Sequence, residues 1–92
     1  MLGGELRELD ALRHTPAGVP LISFSVEHRS TRPEAGIDRR VDCRVQALAL
    51  GETALRLDGR RAGDRVRISG FLAQRSRASA QLVVHVDQIE FI

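Results

Sequence analysis

The sequence has little or none of several residue types that mark whole classes of protein. It has one cysteine, Cys43, so it lacks the disulfide framework of small secreted domains. It has no tryptophan, no tyrosine and three phenylalanines, so aliphatic side chains must fill any core. It shows no signal-peptide pattern and no apolar run long enough to span a bilayer. These absences predict a cytoplasmic protein that does not enter a membrane.

Lysine is also absent, and all 14 basic residues are arginine. The isoelectric point is near 9.9 although the net charge is only +2. Genome composition is one explanation, since the chain is also rich in alanine and glycine. The planar guanidinium nevertheless grips phosphate through two hydrogen bonds and stacks on bases, which lysine cannot do.

The residues that carry catalysis or bind metals show no recognisable spacing. His14, His28, His85 and Cys43 are too scattered for a zinc site. There is no GxSxG nucleophile elbow and no glycine-rich phosphate loop with its lysine. We therefore expect no enzymatic activity and no metal site.

The length of 92 residues predicts a single domain, 1–92. Alternating apolar residues predict strands over 21–28, 39–50, 65–74 and 81–92. Residues 2–9 are short and ambiguous, because they show both near-helical spacing and the alternation of a first strand. We expect a shift of apolar parity at Leu48 and Leu50, as at a bulge or a sharp bend. The residues expected to face inward are Ile22, Phe24, Val26, Val41, Cys43, Val45, Ala47, Val66, Ile68, Leu72, Leu82, Val84 and Val86.

The segments between these strands read as turns, loops and one helix. Residues 15–20 form a strong turn, 29–36 a loop, and 75–80 a hairpin loop. One short helix is expected around 52–57, and Gly70 lies inside a strand where a barrel must coil tightly. Five strands with a helix between the third and fourth predict an all-β, five-stranded OB-fold Greek-key barrel. SH3-like barrels and small sandwiches give similar patterns.

A more specific pattern lies in residues 24–43. Phe24 begins the run Phe-Ser-Val-Glu-His-Arg-Ser, Glu34 begins Glu-Ala-Gly, and Arg39 and Cys43 follow. This pattern resembles the central segment of the primosomal replication protein N (PriB) family. The turn at 12–20 and the segments 63–66 and 84–90 are similar to the same family, so the resemblance covers roughly residues 2–92.

The resemblance implies a homodimeric OB-fold protein that binds single-stranded DNA. It implies a role in primosome assembly and replication restart beside the PriA helicase and the DnaT loader, without catalysis or a cofactor. The alternative is a protein-interaction adaptor that bridges PriA and other restart proteins, with weak or no DNA binding of its own. A plain single-stranded-DNA-binding protein (SSB) is less favoured, because SSBs carry a long acidic-tipped tail and this sequence ends on the fifth strand.

Single strands bind in positive grooves that follow the phosphates and offer aromatic faces to the bases. The resemblance implies DNA contacts at Arg13, Arg29 and Arg39, and at Arg75 and Arg77 between the last two strands. Arg40 and Arg44 join them because they lie on the predicted outward face of the third strand. Each arginine could instead be solvated or paired with a carboxylate; the pairs expected are Arg44 with Asp42 and Arg65 with Asp64.

Three departures from the family bear on DNA binding. Ile37 and Asp42 stand where the family has aromatic residues, so we expect weaker binding or binding that depends more on arginine. Phe71, on an outward position, is a candidate replacement; the competing interpretation is a core or dimer-contact residue. The shortened first strand predicts that dimerisation is altered or uses another edge.

Overall fold

Six β-strands and one short helix follow one another along the chain. The structure is a computed structural model that describes residues 1–92. Its elements are β1 (Leu2–Leu6), β2 (Arg13–His14), β3 (Pro20–Glu34), β4 (Ile37–Leu50), α1 (Glu52–Leu57), β5 (Arg65–Ser76) and β6 (Ser79–Phe91). Five of the strands match the five predicted, and α1 lies at its predicted place between the third and fourth of them. β2 is an additional strand of two residues.

The strands close into a barrel because β1 pairs on both sides. It is antiparallel to β3 through Leu6 and to β5 through Leu2. β3 and β4 form one hairpin, β5 and β6 a second, and three parallel pairs join β4 to β6. This ring, with one helix after its third strand, confirms the predicted OB-fold barrel.

An aliphatic core fills the barrel, with Phe24 as its one fully enclosed aromatic ring. Ala54 and Leu57 of α1 are buried against it, so the helix covers one end of the barrel. Gly51, with φ of 66°, turns the chain from β4 into α1. The core residues are Leu6, Ile22, Phe24, Val26, Ala47, Ala49, Ala54, Leu57, Val66, Ile68, Val86 and Ile89.

Two glycines allow backbones to approach closely. A Cβ at Gly70 would lie 2.8 Å from the carbonyl carbon of His85 and 3.0 Å from Cα of Val86. The β5–β6 register shifts at this point, which confirms the tight coiling predicted there. A Cβ at Gly4 would likewise lie 2.8 Å from Cγ1 of Val26, so β1 depends on glycine to reach β3.

The β3–β4 hairpin is longer and more regular than the sequence predicts. β3 continues to Glu34, so the predicted loop over 29–36 is wrong apart from a turn at residues 35–36. Pairing runs from Leu21↔Leu50 to Glu34↔Ile37 without interruption, so the bulge predicted at Leu48 and Leu50 is also wrong. Alternation persists instead, because Ala49 faces the core while Leu50 faces out. The protruding hairpin gives the molecule principal extents of 51 × 32 × 18 Å.

Three residues predicted to face inward are exposed: Cys43, Leu72 and Leu82. They lie on hairpin segments without buried neighbours on the adjoining strands, so alternation there no longer implies burial. The loop predicted over 75–80 is a turn of residues 77–78, because β5 and β6 extend further than expected. The two hairpins thus continue as two-stranded arms beyond the part of the sheet that covers the core.

Candidate nucleic-acid interface

Four outward-facing side chains line up across the sheet. Residues directly opposite each other in paired strands share one face. The register pairs Ser23 with Leu48, Leu48 with His85, and His85 with Phe71. These four residues, which we call the outer row, therefore cross β3, β4, β6 and β5 on the outside of the barrel.

A groove of about 460 Å³ lies over this row. Ser23, Leu48 and His85 contribute to it, with Arg13 of β2 on one side of the sheet and Arg75 of β5 on the other. The remaining lining residues are Glu8, Asp10, Leu21, Phe24, Gln46, Ala47, Gln74 and Val83. The surface is mainly polar, open and able to donate hydrogen bonds.

The two arginines of the groove touch only neutral partners. Nη2 of Arg13 donates to Oγ of Ser23 at 3.4 Å, and Nη1 of Arg75 donates to Oε1 of Gln81 at 3.5 Å. Neither forms an ion pair, unlike Arg44 nearby. Both guanidinium groups therefore keep most of their five donors and their full charge for an anionic ligand.

Two carboxylates oppose these charges. Glu8 and Asp10 line the same groove. Nη1 of Arg44 lies 3.0 Å from Oε1 of Glu8 and neutralises it, whereas Asp10 has no ion-pair partner. The groove is therefore only weakly positive.

Four of the seven candidate arginines are tied to carboxylates. Arg29 bonds Glu27 and lies 3.8 Å from Asp42. Arg40 lies 3.3 Å from Asp42. Arg39 pairs with Glu34 at 3.1 Å, and Arg44 pairs with Glu8 and, at 3.6 Å, with Glu27. The pairs expected from sequence, Arg44 with Asp42 and Arg65 with Asp64, do not form.

The candidates also differ in the direction they face. Arg39 and Arg40 are neighbours on β4 and hence lie on opposite faces of the hairpin. Arg29 lines a separate cleft of about 250 Å³ beside β1. Arg77 lies in the β5–β6 turn without an ion pair. The structure thus brings Arg13 and Arg75 together over one groove and leaves the other five outside it.

Glu27 anchors the cleft that holds Arg29. Nε of Arg7 donates to Oε2 of Glu27 at 2.9 Å, and Arg29 donates to the other oxygen. These hydrogen bonds, first from Arg7 and then from Arg29, hold the pKa of the Glu27 carboxyl below its ordinary value. Arg7 thereby ties the segment that follows β1 to β3, whereas the bond from Arg29 to Glu27 lies within β3.

The positions that lack an aromatic residue lie far along the β3–β4 hairpin. Ile37 is 72% exposed beside the turn, and Asp42 lies between two arginines. Phe71 is 55% exposed, so its interpretation as a core residue is wrong, and its interpretation as a dimer contact stays a prediction. Its ring stacks on His85, with centroids 5.0 Å apart and planes 14° from parallel. The sequence analysis missed His85 as a surface residue, although it lies between the inward positions Val84 and Val86.

No group of three or more His, Cys, Asp or Glu side chains is placed to hold a metal ion. The helix α1 is too short and not apolar enough to cross a bilayer.

Comparisons with known proteins place these features in a class of OB-fold proteins. A family model described as another single-strand binding protein family matches residues 1–88. The wild-type single-stranded DNA binding protein from Thermus aquaticus shares the fold, with a TM-score of 0.79 at 20% identity over 98% of this chain and 47% of that chain.

More similar proteins define the family. Replication restart protein PriB of Nitrosomonas europaea is 38% identical over 92 residues, which is 100% of this chain and 85% of that protein. PriB of Bordetella pertussis is 38% identical over 87 residues, covering 95% and 81%. A crystal structure of PriB from Ralstonia solanacearum gives a TM-score of 0.85 at 33% identity, covering 98% and 92%. The chain belongs to the PriB family.

Proposed function

We propose that this protein binds single-stranded DNA during replication restart, with the sugar-phosphate chain held in the groove between Arg13 and Arg75. The observation that carries the proposal is that two arginines without carboxylate partners face one groove over the outer row. The names of its relatives, replication restart protein PriB, support the same role.

The charges of the groove favour weak, salt-sensitive binding. Asp10 repels phosphate, and Arg44 is occupied by Glu8. For single strands, the logarithm of the affinity falls with that of salt concentration at about −0.7 per phosphate neutralised. Two phosphate contacts correspond to a slope of about −1.4 for the logarithm of affinity against that of salt concentration. A third contact, at Arg77, would make this slope steeper, at about −2.1.

The test compares arginines inside and outside the groove. Fluorescence anisotropy with a labelled oligo-dT of about 30 nucleotides measures affinity at about 50 and 200 mM salt. Arg13→Ala and Arg75→Ala should each weaken binding and make the slope shallower by about 0.7. Arg39→Ala, which removes an arginine paired with Glu34 on the hairpin, is the matched control and should change neither. Equal losses from all three variants would contradict the proposed groove.

The near balance of charge in the groove favours one alternative. In it, the protein serves as an adaptor that bridges PriA and other restart proteins, and DNA binding is negligible. Capture of PriA by the immobilised protein, together with no anisotropy change at low salt, would establish the adaptor in place of the DNA-binding function. Binding of oligo-dT that depends on Arg13 would exclude it.

We infer further that the protein is non-catalytic, acts beside PriA and DnaT, and forms a homodimer. Beyond Glu27, β3 pairs only with β4, so its other edge is open to a second copy. Sedimentation equilibrium tests the dimer: a mass twice that of the 10.2 kDa chain supports it, and a monomer at all concentrations refutes it.

A further inference from the structure

We propose that the Phe71–His85 pair is a stacking platform on which one base of the bound strand rests, next to the phosphates held by Arg13 and Arg75. This proposal rests on the proposed function and specifies where the bases go.

Elimination among the three phenylalanines identifies the ring on which a base can stack. The chain has three phenylalanines and no tryptophan or tyrosine. Phe24 is 2% exposed in the core, and the guanidinium carbon of Arg60 lies 3.7 Å from the centroid of the Phe91 ring. Phe71 is the remaining phenylalanine, and more than half of its surface is open.

The stacked geometry leaves one ring face free. The imidazole ring of His85 lies almost parallel to the phenyl ring of Phe71. It therefore covers one side of the phenyl ring and fixes the orientation of that ring. Because Phe71 is nevertheless half exposed, its other side faces solvent. An oriented aromatic face next to a polar groove is the arrangement that binds unpaired bases without sequence preference.

The platform is continuous with the groove. His85 and Leu48 line both the groove and a second hollow of about 280 Å³, which contains Phe71. Leu50 and Val86 add apolar surface to that hollow, and Asp87 is its one charged group. A strand with phosphates at Arg13 and Arg75 therefore has apolar, aromatic surface beside it, on which a base can leave water.

The test uses the absence of other indole and phenol groups. Phe71→Trp creates the sole tryptophan of the chain. Oligo-dT should quench the fluorescence of this tryptophan. The quenching should saturate at the same protein-to-DNA ratio as the anisotropy of labelled oligo-dT. Phe71→Ala should weaken binding about five- to 150-fold, the fold-change of one lost stacking contact. An oligonucleotide with abasic sites, which keeps every phosphate, should bind wild-type protein more weakly but lose nothing further with Phe71→Ala.

Two controls separate the possible failures. Leu82→Ala removes a similarly exposed apolar side chain from the opposite face of β6 and should leave affinity unchanged. Phe71→Leu keeps apolar bulk but has no aromatic face, so this variant should also bind oligo-dT more weakly. If it does so while its circular dichroism spectrum is native, misfolding is excluded as the cause. If Arg13→Ala weakens binding while Phe71→Leu and Phe71→Ala do not, the platform is refuted and the groove stands. If the wild-type protein does not bind oligo-dT, the proposed function itself is refuted.

Discussion

Gly70→Ala should be among the most damaging small substitutions in this protein. The added methyl group would meet the backbone of His85 and Val86 at 2.8–3.0 Å, and the carbonyl oxygen of His85 closer still. The obstacle is main chain rather than a flexible side chain, so β5 and β6 must separate where they coil around the barrel. Overpacking of this kind costs typically 1–3 kcal/mol, and the rigid obstacle places this case near about 3 kcal/mol.

The size of that loss can be measured directly. A domain of this length has a stability of roughly 5–15 kcal/mol, so about 3 kcal/mol is a large share. Urea denaturation followed by circular dichroism should show the midpoint falling by about 1–3 M, and thermal melting a drop of roughly 12–24 °C.

A matched glycine provides the control. A Cβ at Gly3 would lie 3.8 Å from the carbonyl oxygen of Val66, an ordinary contact, and φ there is not positive. Gly3→Ala should therefore be neutral, or stabilising by about 0.4–1 kcal/mol through the unfolded chain. Equal stability of the Gly3→Ala and Gly70→Ala proteins would refute the reasoning from close backbone approach.

Two further predictions concern charge. Asp10→Asn removes the unneutralised carboxylate of the groove and should tighten oligo-dT binding by up to about fivefold in anisotropy, whereas weaker binding would contradict repulsion by Asp10. The pKa of Glu27 is lowered in the folded protein, so its contribution to stability is present above about pH 4.3 and is lost as the pH falls through the folded value. Urea midpoints between about pH 3 and 7 should therefore fall more steeply with acid for the wild-type protein than for Glu27→Gln, and parallel curves would contradict this.

Local patterns were sufficient to predict the strands and the helix of the barrel. Ile22, Phe24 and Val26 alternate strictly because one side of β3 faces a core, and that alternation can be read without other information. The helix is short, but Gly51 and Gly59 bracket it clearly. The order of these elements favours an OB-fold, but SH3-like barrels and small sandwiches give similar patterns, and the resemblance of residues 24–43 to the PriB family is the more specific evidence.

The arms of the sheet were harder to predict for a physical reason. Residues 29–34 are polar and include Pro33, so they carry the composition of a loop. They form a strand because β4 satisfies their backbone groups, and that pairing needs no core. The same exposure explains why Cys43, Leu72 and Leu82 alternate correctly but are not buried.

The site depended on contacts between distant parts of the chain. Arg44 meets Glu8, 36 residues earlier, only because the barrel closes and brings the segment after β1 to β4. The strand patterns alone did not separate the arginines held by carboxylates from Arg13 and Arg75. His85 was in principle detectable from alternation, but its stacking on Phe71 depends on the register of β5 and β6.

The central claim is that a single strand crosses the outer face of the sheet between Arg13 and Arg75. Backbone amide shifts of the ¹⁵N-labelled protein, titrated with an oligo-dT of about 15 nucleotides, test it most directly. Shifts should be concentrated at Ser23, Gln46, Leu48, Gln74 and His85, and residues 35–40 of the hairpin should be unaffected. Shifts confined to that hairpin or to the cleft beside β1 would contradict it.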